Sequence, residues 1–98
     1  MSRRSFDHFH AELSVEIGKL VPRYALWLRL RDAGLDPDQV ATAEVVDFFD
    51  AHLDAFLAEE GLVLAPRRRT RLRRRLERYD PAIPTPYETM QRIFGGAR

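Results

Sequence analysis

Residues 42–61, TAEVVDFFDAHLDAFLAEEG, decide the fold, because their apolar residues recur every three or four positions. This spacing is that of one face of an α-helix. Thr42 has a side chain suited to an N-cap, and Gly61 is the residue type that most often ends a helix. The stretch therefore predicts a helix from Thr42 to Glu60 with a broad apolar stripe, formed by Val45, Val46, Phe49, Leu53, Phe56 and Leu57.

One aromatic residue of this helix lies outside the stripe. Phe48 falls about 100° from the centre of the stripe, near Ala51 and Ala55, at 100° of rotation per residue. Two interpretations remain open. Phe48 either packs against a second neighbouring helix or is exposed as a contact for a partner.

Four further segments have helical periodicity and are separated by proline or glycine. Ser5 suits the N-cap of the first, and Pro66 suits the first turn of the fourth. The sequence Thr85-Pro86-Tyr87-Glu88 is a capping box with proline at the first helical position. The predicted segments are residues 6–21, 22–33, 66–79 and a short C-terminal helix from Thr85 to just before Gly95.

These elements predict an all-α protein, a compact small helical bundle of four main helices plus a short C-terminal helix. Residues 1–98 are expected to form one domain, with residues 1–5 and 95–98 as loose ends. Apolar residues nearly encircle the second segment, so it is expected to be the central helix with Trp27 largely buried. The residues concerned are Tyr24, Leu26, Trp27, Leu28 and Leu30.

The composition excludes several classes of protein. The chain has no cysteine, which excludes disulfide scaffolds, thiolate metal sites and cysteine nucleophiles. No uncharged run approaches the ~20 residues of a membrane-spanning helix, and no apolar stretch follows the arginines near the N-terminus. We therefore expect a soluble cytoplasmic protein that has no membrane partner.

The histidines and the glycines do not form a recognisable catalytic or metal-binding motif. His8 and Glu12 share a helix face, as a metal pair would, but that face lies opposite the apolar stripe. His10 and His52 each border an apolar stripe. A nucleophile elbow, a phosphate-binding glycine loop and a His-Glu-x-x-His pattern are all missing from the sequence. The sequence predicts no enzyme activity, no catalytic residue, no metal and no cofactor.

The charge of the chain is unevenly distributed. The net charge is +1, but residues 1–60 hold six basic and twelve acidic residues, whereas residues 61–98 hold ten and three. Such asymmetry marks a surface for an acidic partner or nucleic acid, unless the two parts pack together and neutralise each other.

The basic charge is concentrated in residues 66–79, which contain eight arginines. The apolar stripe of this segment is narrow, comprising Leu72, Leu76 and Tyr79. Opposite it runs a continuous line of charge about 16 Å long, which we call the arginine ridge and which consists of Arg67, Arg71, Arg74 and Arg78. An anion near the start of the helix would also meet backbone N–H groups and the guanidinium groups of Arg67, Arg68 and Arg69.

A second charged face lies on the helix of residues 42–60, where Asp47, Asp50 and Asp54 share one side. If both helices direct their apolar stripes into one core, both charged faces point outward. The two faces would then not easily meet within one monomer, but they could meet between two copies of the chain, or each could bind a different partner.

Two functions are compatible with this pattern. The first is a small non-enzymatic adaptor that docks an acidic protein face, or a second copy of itself, through the arginine helix. The second is a nucleic-acid-binding protein that contacts phosphates through the same helix. The low net charge and the acidic N-terminal part favour the first. A third interpretation is that the arginines form only a solvated helix face.

Overall fold

The computed structural model describes residues 4–80, and these contain four α-helices and no β-strand. The helices are α1 (Arg4–Ile17), α2 (Arg23–Asp32), α3 (Thr42–Glu60) and α4 (Pro66–Arg78). The prediction of an all-α fold with four main helices is confirmed. The predicted C-terminal helix, which begins at Thr85, lies outside the described residues.

A glycine with positive φ follows the end of both α2 and α3. Gly34 and Gly61 adopt left-handed conformations with φ of +87° and +68°, which glycine reaches without the steric cost of a Cβ. After α3, the Gly61 N–H bonds to Ala58 O at 3.3 Å and the Leu62 N–H bonds to Leu57 O at 2.9 Å. This pair of bonds is a Schellman motif, which satisfies carbonyl groups at the end of the helix.

The starts of α1 and α3 differ from the predictions. α1 already includes Arg4 and Ser5, so Ser5 lies buried within the helix rather than capping it from a loose end. The N-cap of α3 is Ala41, whose N–H donates to the Glu44 carboxylate at 2.9 Å. Thr42 is the first residue of α3, and its hydroxyl donates instead to Tyr79 O at 3.0 Å. α4 begins at Pro66 as predicted.

The core lies between α1, α3 and α4. α4 packs against both α1 and α3, and α1 also packs against α3. Phe9 of α1 meets Phe48 of α3 edge-on, with ring centroids 5.9 Å apart. Most of the buried apolar residues come from these three helices: Phe6, Phe9, Leu13, Val45, Phe48, Phe49, Leu53, Phe56, Leu57, Leu72 and Leu76.

The expectation that α2 is the central helix is wrong. α2 packs chiefly against α3, and only its Leu26 and Leu30 are fully buried. Tyr24 is 68% exposed, and Trp27 is only partly buried at the edge of the core. Apolar residues that encircle a ten-residue helix therefore did not indicate burial on every side.

Among the described residues, no helix is long and apolar enough to cross a membrane.

Candidate interaction surface on the arginine helix

The orientation of α4 is fixed by two leucines. Leu72 and Leu76 are both essentially inaccessible to solvent, so the side of the helix that carries them faces the core. The remaining positions of α4 divide into a side toward α1, a side toward α3 and an outward side. Each side carries arginines, and the arginines toward α1 and toward α3 pair with different carboxylates.

The α1 side is organised around a buried carboxylate. Glu16 is 4% exposed and accepts hydrogen bonds from Arg71 Nε and Nη2, both at 3.2 Å. Arg75 Nη1 donates to Glu16 Oε2 at 2.9 Å and to Glu12 Oε1 at 2.9 Å. Arg68 adds a third cation 3.8 Å from Glu16 and donates to the Glu16 carbonyl oxygen at 3.3 Å.

These arginines stabilise the ionised form of Glu16. The hydrogen bonds from Arg71 lower the pKa of Glu16 below its ordinary value, and the charges of Arg71, Arg75 and Arg68 lower it further, whereas burial opposes the shift. A buried carboxylate normally costs several kcal/mol in desolvation unless it is paired and hydrogen-bonded. The three arginines supply that pairing, which explains how an acidic residue occupies the core side of α1.

The α3 side is held by a second set of ion pairs. Arg73 donates two hydrogen bonds to Asp50, at 2.8 and 2.7 Å, and a third to Glu77 at 2.7 Å. Arg69 donates to Asp54 at 2.6 Å, and its guanidinium lies 4.8 Å from the centroid of the Phe49 ring. The bonds from Arg73 lower the pKa of Asp50, and Asp50 raises the pKa of Arg73.

The two sides follow the same pattern. On each side, two carboxylates four residues apart face two arginines four residues apart on an antiparallel helix. The pairs are Glu12 with Arg75, Glu16 with Arg71, Asp50 with Arg73, and Asp54 with Arg69. Residues four apart lie on one helix face, so the matched spacing aligns both pairs of each side at once.

This arrangement corrects the expectation that the acidic face points away from α4, although its partners are Arg69 and Arg73 and not residues of the arginine ridge. Asp50 and Asp54 are bound by arginines of α4 in the same chain. The long arginine side chains beside the apolar stripe reach the neighbouring helix. Asp47 is exposed and makes no ion pair within the described residues.

The arginine ridge is also smaller than the sequence predicted. Arg71 turns toward Glu16, although its side chain is still 54% exposed. Arg67, Arg74 and Arg78 are exposed and, within residues 4–80, have no ion-pair partner. We call these three residues the outward ridge. A shallow depression of about 420 Å³ runs along its first part, lined by Pro66, Arg67, Thr70, Arg71 and Arg74.

The structure excludes the exposed interpretation of Phe48. Its side chain is 1% exposed and packs against Phe9 of α1. Phe48 instead packs against a second neighbouring helix, α1, as the alternative interpretation predicted. Phe48 therefore belongs to the core and not to a surface for a partner.

The three histidines contact aromatic rings or a backbone carbonyl oxygen. His8 stacks on Tyr79 with ring centroids 3.9 Å apart, and His10 Nε2 donates to Val21 O at 2.8 Å. His52 lies beside Phe48, with ring centroids 5.5 Å apart. No group of three or more potential metal-ligating side chains occurs in the part of the chain that the structure describes.

A second concave feature lies at α2, away from α4. Arg23, Tyr24, Trp27 and Asp38 line a cleft of about 380 Å³. The rings of Tyr24 and Trp27 stack with centroids 5.8 Å apart, and the Arg31 guanidinium lies 5.1 Å from the Trp27 ring. This cleft was not predicted from the sequence, because Tyr24 and Trp27 were expected to belong to a central, buried helix.

Comparison with known proteins gives no relative, since no family model, curated protein or solved structure matches the chain.

Proposed function

We propose that this protein is a non-enzymatic helical interaction module that docks the acidic face of a protein partner through the outward ridge. The observation that carries the proposal is the division of the arginines of α4. Arg68, Arg69, Arg71, Arg73 and Arg75 are engaged by carboxylates of the same chain. The outward ridge has no such neutralising partner among the described residues.

The ridge carries an electrostatic cost in the isolated chain. Arg74 and Arg78 are four residues apart on one helix face, and like charges at that spacing destabilise a helix by a few tenths of a kcal/mol. Arg67 lies at the positive end of the helix dipole, where a cation is unfavourable. A carboxylate brought to the ridge by a partner would relieve both effects.

The surroundings of the ridge favour a protein over a nucleic acid. The side chain of Asp54 on the neighbouring α3 is 81% exposed even while it is paired with Arg69. Asp47 of the same helix is also exposed. Phosphates on a broad nucleic-acid surface would approach these carboxylates, and the net charge of +1 provides little long-range attraction. A protein can place its own carboxylates on the ridge alone.

A binding experiment tests the proposal. Poly-L-glutamate and a short DNA duplex serve as probes, each titrated with the full chain at about 20 mM and about 300 mM salt. The test variant replaces Arg67, Arg74 and Arg78 by glutamine. A control variant with the same loss of charge carries Lys19→Gln, Arg23→Gln and Arg31→Gln, all at exposed positions away from α4.

We expect the wild-type chain and the control to bind poly-L-glutamate more tightly than DNA at low salt, and to release it at high salt. The ridge variant should lose about tenfold in affinity, as three exposed ion pairs of about 0.5 kcal/mol each would predict. Equal binding by the ridge variant would mean that the arginines form only a solvated face. Tighter binding to DNA would favour the nucleic-acid function instead.

A further inference from the structure

The outward ridge has a shape that restricts the kind of acidic partner it fits. The ridge extends about 16 Å along α4, with Arg67 and Arg74 about 10 Å apart and Arg74 and Arg78 about 6 Å apart along the helix axis. It is one side chain wide, because the neighbouring arginines on both sides turn toward α1 and α3. The available positive charge is therefore a narrow straight line.

Carboxylates flank this line on both sides. Toward α3 lie Asp54 and Glu77, whose side chains are 81% and 48% exposed. Toward α1 lies Glu12, which is paired with Arg75 and still 28% exposed. An anionic surface wider than the ridge would meet these carboxylates and be repelled, so complementarity requires a partner whose negative charge is equally narrow.

We infer that the outward ridge docks an acidic α-helix of another protein, whose carboxylates form one stripe with the spacing of the ridge. This inference rests on the proposed function and names the partner of the same surface. An antiparallel helix would carry acidic residues at positions i, i+4 and i+11, which face Arg78, Arg74 and Arg67 in that order. The antiparallel arrangement also places the negative end of the partner's dipole beside the positive end of α4.

Three synthetic helical peptides of equal length, composition and charge test the inference. The first carries glutamates at i, i+4 and i+11 in an alanine-rich host, with two prolines outside the helical segment. The second has the same residues but distributes the glutamates around the helix. The third keeps the glutamate stripe and moves the two prolines into the interior, where each costs about 3 kcal/mol of helix stability. Circular dichroism verifies that the first two are equally helical.

Each labelled peptide is titrated with the full-length chain at about 20 mM salt by fluorescence anisotropy, and poly-L-glutamate is measured in parallel. We expect the striped helix to bind about tenfold more tightly than either of the other two peptides, since only it aligns three ion pairs at once. The variant with glutamine at Arg67, Arg74 and Arg78 should lose this preference, whereas the Lys19, Arg23 and Arg31 control should retain it.

The outcomes separate this inference from the proposed function. If all three peptides bind equally, or if only poly-L-glutamate binds, acidity alone is recognised and the helical partner is wrong while the proposed function stands. If neither the peptides nor poly-L-glutamate bind, the proposed function fails as well. Sedimentation that gives a dimer dissociated by the ridge substitutions would identify a second copy as the occupant and overturn the inference.

Discussion

Glu16→Gln is the substitution that most sharply perturbs the attachment of α4 to α1. The glutamine keeps the size of the side chain but removes its charge and replaces one acceptor oxygen by an amide donor. Three hydrogen bonds at or below 3.2 Å end on the Glu16 carboxylate, two from Arg71 and one from Arg75. The amide nitrogen would face these guanidinium donors without being able to accept from them, whereas the remaining carbonyl oxygen still could.

The expected loss of unfolding free energy depends on how exposed the side chains of Arg71 and Arg75 are. Hydrogen bonds to a charged group contribute about 1.5–3 kcal/mol each. The side chains of Arg71 and Arg75 are 54% and 45% exposed, so both can be rehydrated in the variant, and solvent screening reduces each contribution. We therefore expect a net loss of about 2–3 kcal/mol, which corresponds to a fall in Tm of about 10–20 °C for a domain of this size.

Urea denaturation followed by circular dichroism at neutral pH measures this loss. Glu12→Gln is the matched control, because Glu12 accepts one hydrogen bond from Arg75 at the edge of the same network and should cost at most about 1 kcal/mol. A loss below about 0.5 kcal/mol for Glu16→Gln, or an equal loss for both variants, would refute the claim that the buried carboxylate holds α4.

Three further results are expected. As the pH falls below about 4, the stability advantage of the wild type over Glu16→Gln should shrink. The pKa of Glu16 is lower in the folded chain than in the unfolded chain, so the stabilisation by the ionised carboxylate is lost as Glu16 is protonated. An advantage that is unchanged down to pH 2 would contradict this assignment. Phe48→Ala should cost about 3–5 kcal/mol in a urea titration, since the ring is fully buried against Phe9, and a variant as stable as the wild type would mean that Phe48 is exposed. Gly61→Ala should cost about 1 kcal/mol because of the positive φ, although an added Cβ would contact no other atom; a neutral effect would show that the left-handed turn is not required.

Much of the fold could be predicted because local signals and tertiary packing agree. The apolar stripe of α3 and the glycine after it identify the longest helix, and Pro66 marks the start of α4 within one residue. α2 was misjudged because a short helix rich in apolar residues can lie at the periphery with part of its surface exposed. Tyr24 and Leu28 remain accessible there, and only tertiary contacts determine which residues a short helix buries.

The candidate site was predicted only in part, for a different physical reason. Charged residues opposite the apolar stripe of a helix point outward, but charged residues beside the stripe need not. From those positions a long arginine side chain reaches the adjacent helix. A signal for this was present in the sequence, since Glu12 and Glu16, and likewise Asp50 and Asp54, have the same four-residue spacing as pairs of arginines in α4. Which pair faces which depends on the antiparallel packing of the helices, and the sequence alone does not fix that packing.

The central claim is that the arginines of α4 form two populations, one that fastens the helix and one that is available to a partner. The most direct measurement compares the urea midpoints of two variants with the same loss of charge. One replaces the outward ridge of Arg67, Arg74 and Arg78 by glutamine, and the other replaces Arg69, Arg71 and Arg73. We predict a change within about 0.5 kcal/mol for the first variant and a loss of about 3 kcal/mol for the second, because only the second removes internal ion pairs. Equal losses in the two variants would contradict the division on which the proposed function depends.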